Sequence, residues 1–279
     1  MTVPASRVTD LLVTAFGARG PVLVAFSGGV DSAVVAALAE RAAPGEALAV
    51  TAAAETLAGA ELDNARRVAR EIGIRHRVVT YSELDEPEFV ANPKYRCYVC
   101  QGMRMDTMVR LAREEGFPVV ADGTNASDPG PDRPGLAAIE ERGVWSPLLD
   151  HGVTKNGVRQ LAQALDLSVW DRPSNACLSS RIPHGQVVTL GKLKRVEAAE
   201  EILAEAGFRV VRVRHAGRSA RVEVGRDELA TLEALWPNLE RRLLAIGFEQ
   251  AVIDPAGYRS GGADAAAGSE AVLAATAEG

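Results

Sequence analysis

The chain carries only three cysteines in 279 residues. An odd, low count leaves no disulfide framework and points to a reducing compartment. Histidine is scarce too: of four, His76, His151 and His215 show no metal-ligand spacing and read as structural. A basic surplus is missing: 31 Lys and Arg stand against 37 Asp and Glu, a net charge of −6. That balance argues against nucleic acid as partner and favours a small-molecule substrate. No apolar run approaches the length that spans a bilayer, so no membrane partner is expected. The start, Met1 to Phe16, reads as an amphipathic helix through Val8, Leu11, Leu12 and Phe16, without the basic start and apolar block of a secretion signal. A cytoplasmic location is the expectation. With few aromatics, about half its residues apolar and a quarter charged, the composition is that of a globular domain.

The first two-thirds alternate strand and helix. Val22 to Phe26 is a short apolar strand of the kind buried on both faces of a parallel sheet. A helix is predicted over 32–41, a strand over 47–52, a helix over 61–72 and a strand over 75–81. Then come a helix over 102–115, a strand over 118–121 and a helix over 154–165 with Thr154 as N-cap. This pattern is α/β and implies a doubly wound parallel sheet with ligands at the carboxyl ends of its strands. From about Thr189 the order becomes helix 190–206, strands 208–214 and 220–224, helix 227–246 and strand 248–253. The expected division is an α/β domain over 1–185, a smaller C-terminal α+β domain over 186–260 and a disordered tail over 261–279.

The strongest motif is Ser27-Gly28-Gly29-Val30-Asp31-Ser32, placed between the first strand and a helix. Glycines let the backbone approach a phosphate, and the first-turn N–H groups point at it. Ser27 and Ser32 add hydroxyl donors, and Asp31 can hold the Mg²⁺ that neutralises the phosphates. The loop lacks the Gly-Lys-Ser/Thr ending of a Walker loop and the dinucleotide-binding spacing. It resembles the PP-loop of N-type ATP pyrophosphatases, which cleave ATP between its α and β phosphates. Asp122-Gly123-Thr124 ends a strand at the ligand face, so Gly123 and Thr124 join the nucleotide-binding set.

All three cysteines sit in polar, basic surroundings, Cys97 and Cys100 in RCYVC and Cys177 in PSNACLSSRIPHG. Three readings stand open. The thiolates could hold a [4Fe–4S] cluster by three corners, leaving one iron for an exogenous sulfide. They could bind zinc with His184 as fourth ligand. Or Cys177 could act alone as a sulfur donor beside Arg172 and Arg181, with the pair merely structural.

Together SGGVDS, RCYVC, DGTN, Arg133-Pro-Gly135, WDRPSNACLSSRIPHG and Gly257-Tyr-Arg-Ser-Gly261 resemble the LarE family, over roughly Leu11 to Gly261. The resemblance implies an ATP-dependent sulfurtransferase of nickel-pincer nucleotide biosynthesis. ATP adenylylates a carboxylate of pyridinium-3,5-biscarboxylic acid mononucleotide, and sulfur displaces AMP to give a thiocarboxylate. One branch of the family sacrifices the sulfur of a single cysteine; the other carries a removable sulfide on a [4Fe–4S] cluster held by three. All three positions are cysteine here, so the resemblance favours Cys97, Cys100 and Cys177 as cluster ligands, reloaded by a sulfide donor. Asp31, Cys177, Ser180 and Arg181 are the catalytic candidates. By resemblance Arg212 and Arg214 hold the substrate phosphate, Glu200 and Glu223 lie near substrate or metal, and the protein is a homo-oligomer. Two departures stand out: Ser127 replaces an acid of the family's GTN-x-DD, and the terminal motif runs into Gly262-Ala-Asp-Ala. The rival readings are a cluster-dependent tRNA thiolase and a non-catalytic ATP-binding regulator.

Overall fold

The computed structural model describes residues 5–128 and 134–258. Arg133, Arg259 and the segment 261–279 lie outside them. In chain order the elements are α1 (Ala5–Gly17), β1 (Val22–Ala25), α2 (Val30–Ala42), β2 (Leu48–Ala53), α3 (Gly59–Ile72), β3 (Arg75–Thr80), α4 (Pro87–Val90), α5 (Arg96–Glu115), β4 (Val119–Ala121), α6 (Pro134–Glu140), α7 (Pro147–Asp150), α8 (Lys155–Ala164), α9 (Leu190–Glu205), β5 (Val211–Ala216), β6 (Ser219–Val224), α10 (Leu229–Ala245) and β7 (Gln250–Ile253). They form two compact units: Met1–Glu83 with Tyr95–Asn175, and Leu84–Lys94 with Ala176–Gly279.

The first unit is built on a parallel sheet in the order β3-β2-β1-β4. Leu23 and Val24 of β1 are wholly buried, as a strand covered on both faces requires. One cluster packs Leu12, Phe16, Val24, Val34, Leu38, Val68 and Leu161 together, and another packs Leu23, Val50, Met105, Met108 and Val120. The α/β architecture expected from the sequence is therefore present. Helix α5 departs from expectation. It begins at Arg96, not near Gly102, so Cys97 and Cys100 lie on the helix itself. No N-cap residue marks that start in the sequence; a tight turn, Tyr98 N–H to the Tyr95 carbonyl at 2.8 Å, opens it instead.

The second unit is a mixed sheet, β5-β6-β7, with β5 antiparallel and β7 parallel to β6. Residues 84–94 belong to this unit, and its later part begins at Ala176, whereas the sequence reading draws the line at 185/186. A local reason is visible. Asn92, fully buried at φ +55°, donates to the carbonyls of Ile182 (3.4 Å), Pro183 (2.7 Å) and Gln186 (2.9 Å). Strand alternation sends Val211, Val213, Ala220, Val222 and Val224 into the core and Arg212, Arg214, Arg221 and Glu223 to the other face.

His215 is 2% exposed, neither ring nitrogen has a hydrogen-bond partner, and the ring lies 5.5 Å from Phe248. Burial, then Lys192 and Arg195, push its pKa down to about 4. The unfolded chain therefore takes up this proton first, near pH 6.5. His215 leaves stability intact above that pH and erodes it as pH falls towards 4. At pH 5 the loss is about 2 kcal/mol. Urea melts of His215→Leu should show a shallower loss between pH 6.5 and 5 than the unaltered chain.

Candidate active site

Between β1 and α2 the backbone is bent tightly around small residues. Gly28 has φ +73°, and a Cβ on it would lie 2.5 Å from the Ala65 Cα of α3. Only glycine fits, on both counts. Asn64 Nδ2 donates to the Gly28 carbonyl at 2.8 Å, tying the loop to α3. The Ser32 hydroxyl accepts from the Ser27 N–H (3.2 Å), lies 3.1 Å from Ser27 Oγ and donates to the Gly29 carbonyl (3.1 Å). Ser32 is thus a buried brace of the loop, while Ser27 is exposed. Gly29 occupies the N-cap with no side chain on the first-turn amides. Val30 is buried, so its contribution there is its backbone N–H.

The end of β4 meets the same turn. A Cβ on Gly123 would come within 2.9 Å of Ser32 N and 3.1 Å of Asp31 Cβ, so this glycine too sets a close backbone approach. Thr124 faces inward: its hydroxyl donates to Asp122, which also accepts from Ser146 Oγ at 2.6 Å. Burial pushes the Asp122 carboxyl up against these two stabilising bonds. At Asp31 the structure adds Lys155, which no sequence motif marks, beside Asn125 and Asp128 of the GTN segment. The Asp31 Oδ2 accepts from Lys155 Nζ at 2.5 Å and its Oδ1 from Asn125 Nδ2 at 3.2 Å, which also donates to Asp128 at 2.6 Å. Lys155 lies 124 residues from Asp31 in the chain, and its only local signal is the Thr154 N-cap before it. Ser127, where the family pattern has an acid, accepts from the Lys155 N–H at 2.9 Å and anchors that lysine's helix. The cradle, the bare amides and the exposed Ser27 fit the phosphates of a nucleotide. Asp31, 25% exposed at its side chain, is the carboxylate that fits Mg²⁺.

Cys100 is drawn to the same carboxyl end of the sheet. Its thiol donates to Glu83 Oε1 at 2.9 Å, just beyond β3. Glu83 is 0% exposed and also accepts from Tyr81 (2.8 Å) and from Thr56 (2.5 Å), which follows β2. Arg104 stands 3.9 Å away as counter-charge. Burial pushes the Tyr81 phenol well up, with Arg104 opposing and Glu83 adding to the shift. Tyr81 therefore remains a donor. Cys97 is exposed, and no cysteine is in a disulfide.

In the second unit Cys177 is half-buried, its sulfur 3.2 Å from Ser179 Oγ. Arg181 is 1% exposed and works inward. It donates to both Glu200 oxygens (2.8 and 2.9 Å), to the carbonyls of Ala176 (2.6 Å) and Cys177 (3.0 Å), and to Ser180 Oγ (3.0 Å). It therefore positions the cysteine loop. Glu200 also accepts the Val213 N–H at 3.0 Å, joining that loop to β5. Arg214 forks onto Glu223 (2.9 and 3.1 Å) and donates to the Ser180 carbonyl (3.1 Å). Arg212 lies 5.0 Å over the Tyr258 ring. Burial, and after it the neighbouring Arg181, lower its pKa, with Glu200 and Tyr258 opposing. Arg181, Arg212 and Arg214 thus gather with Glu200 and Glu223, and Arg221 joins them 3.7 Å from Glu223 and 3.6 Å from Asp254.

Among the described residues no three His, Cys, Asp or Glu side chains gather as a metal site. Cys97 and Cys100 belong to the first unit and Cys177 to the second. The chemistry of the donors fits iron–sulfur ligation: three thiols outside disulfides, two of them at Cys-x-x-Cys spacing.

A parallel sheet whose first strand turns through a serine–glycine cradle into a helix, with a second glycine strand-end against that turn, defines a nucleotide-binding α/β enzyme of the PP-loop class. The asparagine synthase family model matches residues 7–120. NMN synthetase from Francisella tularensis shares the fold, with a TM-score of 0.51 and 17% identity over 62% of this chain and 76% of that one. An uncharacterized protein of Synechocystis is 39% identical over 88% of this chain and 92% of its own length. Pyridinium-3,5-bisthiocarboxylic acid mononucleotide synthase of Lactiplantibacillus plantarum is 33% identical over 90% of this chain and 91% of its own. The chain belongs to the family of that synthase, the LarE family, and is an ATP-dependent sulfurtransferase.

The two loop glycines separate fold from binding. Gly28→Ala should cost about 1–3 kcal/mol through its clash with the α3 backbone. Gly29 has φ −76° and meets only Ser27 Oγ at 3.4 Å, so Gly29→Ala should fold within about 0.5 kcal/mol of the parent. Urea melts of the two variants check the contrast.

Proposed function

We propose that the chain adenylylates the carboxylates of pyridinium-3,5-biscarboxylic acid mononucleotide and converts them to thiocarboxylates, for nickel-pincer nucleotide biosynthesis. The observation that carries this reading is the buried arginine group of the Cys177 unit. Guanidiniums gathered in one buried group suit a substrate with a phosphate and two carboxylates, because the arginine fork pairs with either anion. The kinship with the Lactiplantibacillus enzyme supports the same substrate.

The residues divide the work. The amides of residues 28 to 32, with the Ser27 hydroxyl, bind the β- and γ-phosphates of ATP, and Asp31 would hold Mg²⁺ where Lys155 now neutralises it. A substrate carboxylate oxygen attacks the α-phosphorus and pyrophosphate leaves. A sulfur nucleophile then adds to the acyl carbon and AMP leaves. Arg212 and Arg214 orient the substrate phosphate. Arg181 and Ser180 hold the Cys177 loop, with Glu200 and Glu223 fixing the arginines. Cys97, Cys100 and Cys177 would hold a [4Fe–4S] cluster, which when bound supplies a removable sulfide. A cytoplasmic homo-oligomer using a soluble sulfide donor accords with this chemistry.

Iron, acid-labile sulfide and a visible spectrum on protein purified without oxygen test the reading. About four irons per chain are expected. Zinc would make the cysteines a structural site. No metal after anaerobic reconstitution would leave Cys177 to give its own sulfur, seen as the loss of one H₂S in the intact mass after turnover. Cys97→Ala should lose iron yet release pyrophosphate from ATP and substrate at the parent rate. Asp31→Ala should abolish that release, and normal release would remove Asp31 from metal binding.

A further inference from the structure

The two cysteines of α5 have opposite surroundings. Cys97 is exposed and Cys100 is 7% exposed, three residues further along the same helix. The Cys100 thiol is aimed by its bond to Glu83 at 2.9 Å, with Arg104 Nη2 at 3.5 Å on the other side. Thr56 and Tyr81 fix Glu83 in turn, so the inner sulfur is closed to reagents and held in one place. A pair made of one accessible and one sheltered, oriented thiol suits stepwise exchange with a disulfide. The reagent meets the outer sulfur, and the inner one completes the reaction.

We propose that Cys97 and Cys100 form a thiol–disulfide exchange centre for small-molecule disulfides. The Cys97 sulfur attacks one sulfur of the disulfide RSSR, the S–S bond breaks and the first RS group departs, leaving Cys97–S–SR. The Cys100 sulfur attacks the Cys97 sulfur, that bond breaks and the second RS group departs. Two protein thiols are oxidised to one disulfide, RSSR is reduced to two RSH, and the two thiol protons leave on those products. Helix neighbours three apart have Cβ atoms about 5–6 Å apart, while a disulfide needs about 3.5–4.5 Å. The remaining shift falls in the first turns of α5, after the tight Tyr95–Tyr98 turn, where amides lack helical partners and the backbone yields most easily. Cys177 has a hydroxyl neighbour and no second thiol in its own unit. It takes no part. The proposal goes beyond the sulfur-transfer reading and needs neither ATP nor iron. It does imply that the oxidised pair cannot ligate metal.

The test treats the full-length protein with glutathione disulfide, blocks remaining thiols with N-ethylmaleimide under denaturing conditions, and maps the tryptic peptides. Iron is measured on the same sample so that only the iron-free fraction is scored. The expected result is a Cys97–Arg104 peptide lighter by two hydrogens and unlabelled, with Cys177 labelled. A glutathione adduct persisting on Cys97 with Cys100 labelled, a Cys97–Cys177 link, or full labelling would each overturn the proposal. Cys100→Ser should trap the adduct on Cys97 about tenfold over the parent, with circular dichroism showing the variant folded. Equal adduct in both would count against resolution by Cys100. The parent map stands whether or not the variant folds. Failure of iron binding or pyrophosphate release would leave this result untouched.

Discussion

Much of the first unit follows from two places where backbone must approach backbone more closely than a side chain permits. At Gly28 the loop rests on α3, and at Gly123 the end of β4 rests on the first turn of α2. These contacts align three elements at one end of the sheet, and interior packing is too dense for any one to move alone. They also leave the amides at the start of α2 without a side-chain cap. A helix start in that condition has unsatisfied donors and a partial positive charge, which is what the phosphates of ATP require. Lys155 adds a full charge beside it.

The second unit solves a different problem, that of burying charge. Arg181 is sealed from water, a cost that falls away only when every donor is matched. Its two bonds to Glu200 and three to the cysteine loop engage all three guanidinium nitrogens, and the same bonds fix the loop's shape. Arg214 and Glu223 repeat the device one strand pair away. The arginines are thereby held in position before any ligand arrives, so little ordering cost is left to binding.

The glycine loop between β1 and α2 was plain in the sequence because its pattern is local: six consecutive residues make the loop, and an apolar strand precedes it. The alternation of strands and helices was equally open to reading. What escaped were pairings between distant residues. Lys155 stands on Asp31 and Glu83 on Cys100, and nothing in the local pattern around either lysine or glutamate marks it. The start of α5 was missed because Arg96, Cys97 and Tyr98 carry no cap and no apolar period. Arg181 reads from its motif as a catalytic candidate; its burial and its bonds to the cysteine loop, which only the fold reveals, also make it a brace for that motif. The residues 84–94 gave no sign of belonging with a segment some ninety positions later, since what joins them is one asparagine side chain and backbone bonds from Gly185 to Asn92 and from Val188 to Val90, which no local pattern marks.

That asparagine has a consequence for how the protein is made. Residues 84–94 leave the ribosome in the middle of the first unit, long before Ile182, Pro183 and Gln186 exist to receive Asn92. The first unit can close around its sheet once residue 175 has emerged, and domains fold as units in the order of synthesis. Through that interval α4 waits with Phe89, wholly buried in the finished protein, still lacking the later half of its own unit. The nascent chain thus carries an unfinished apolar loop through the time in which the first unit closes.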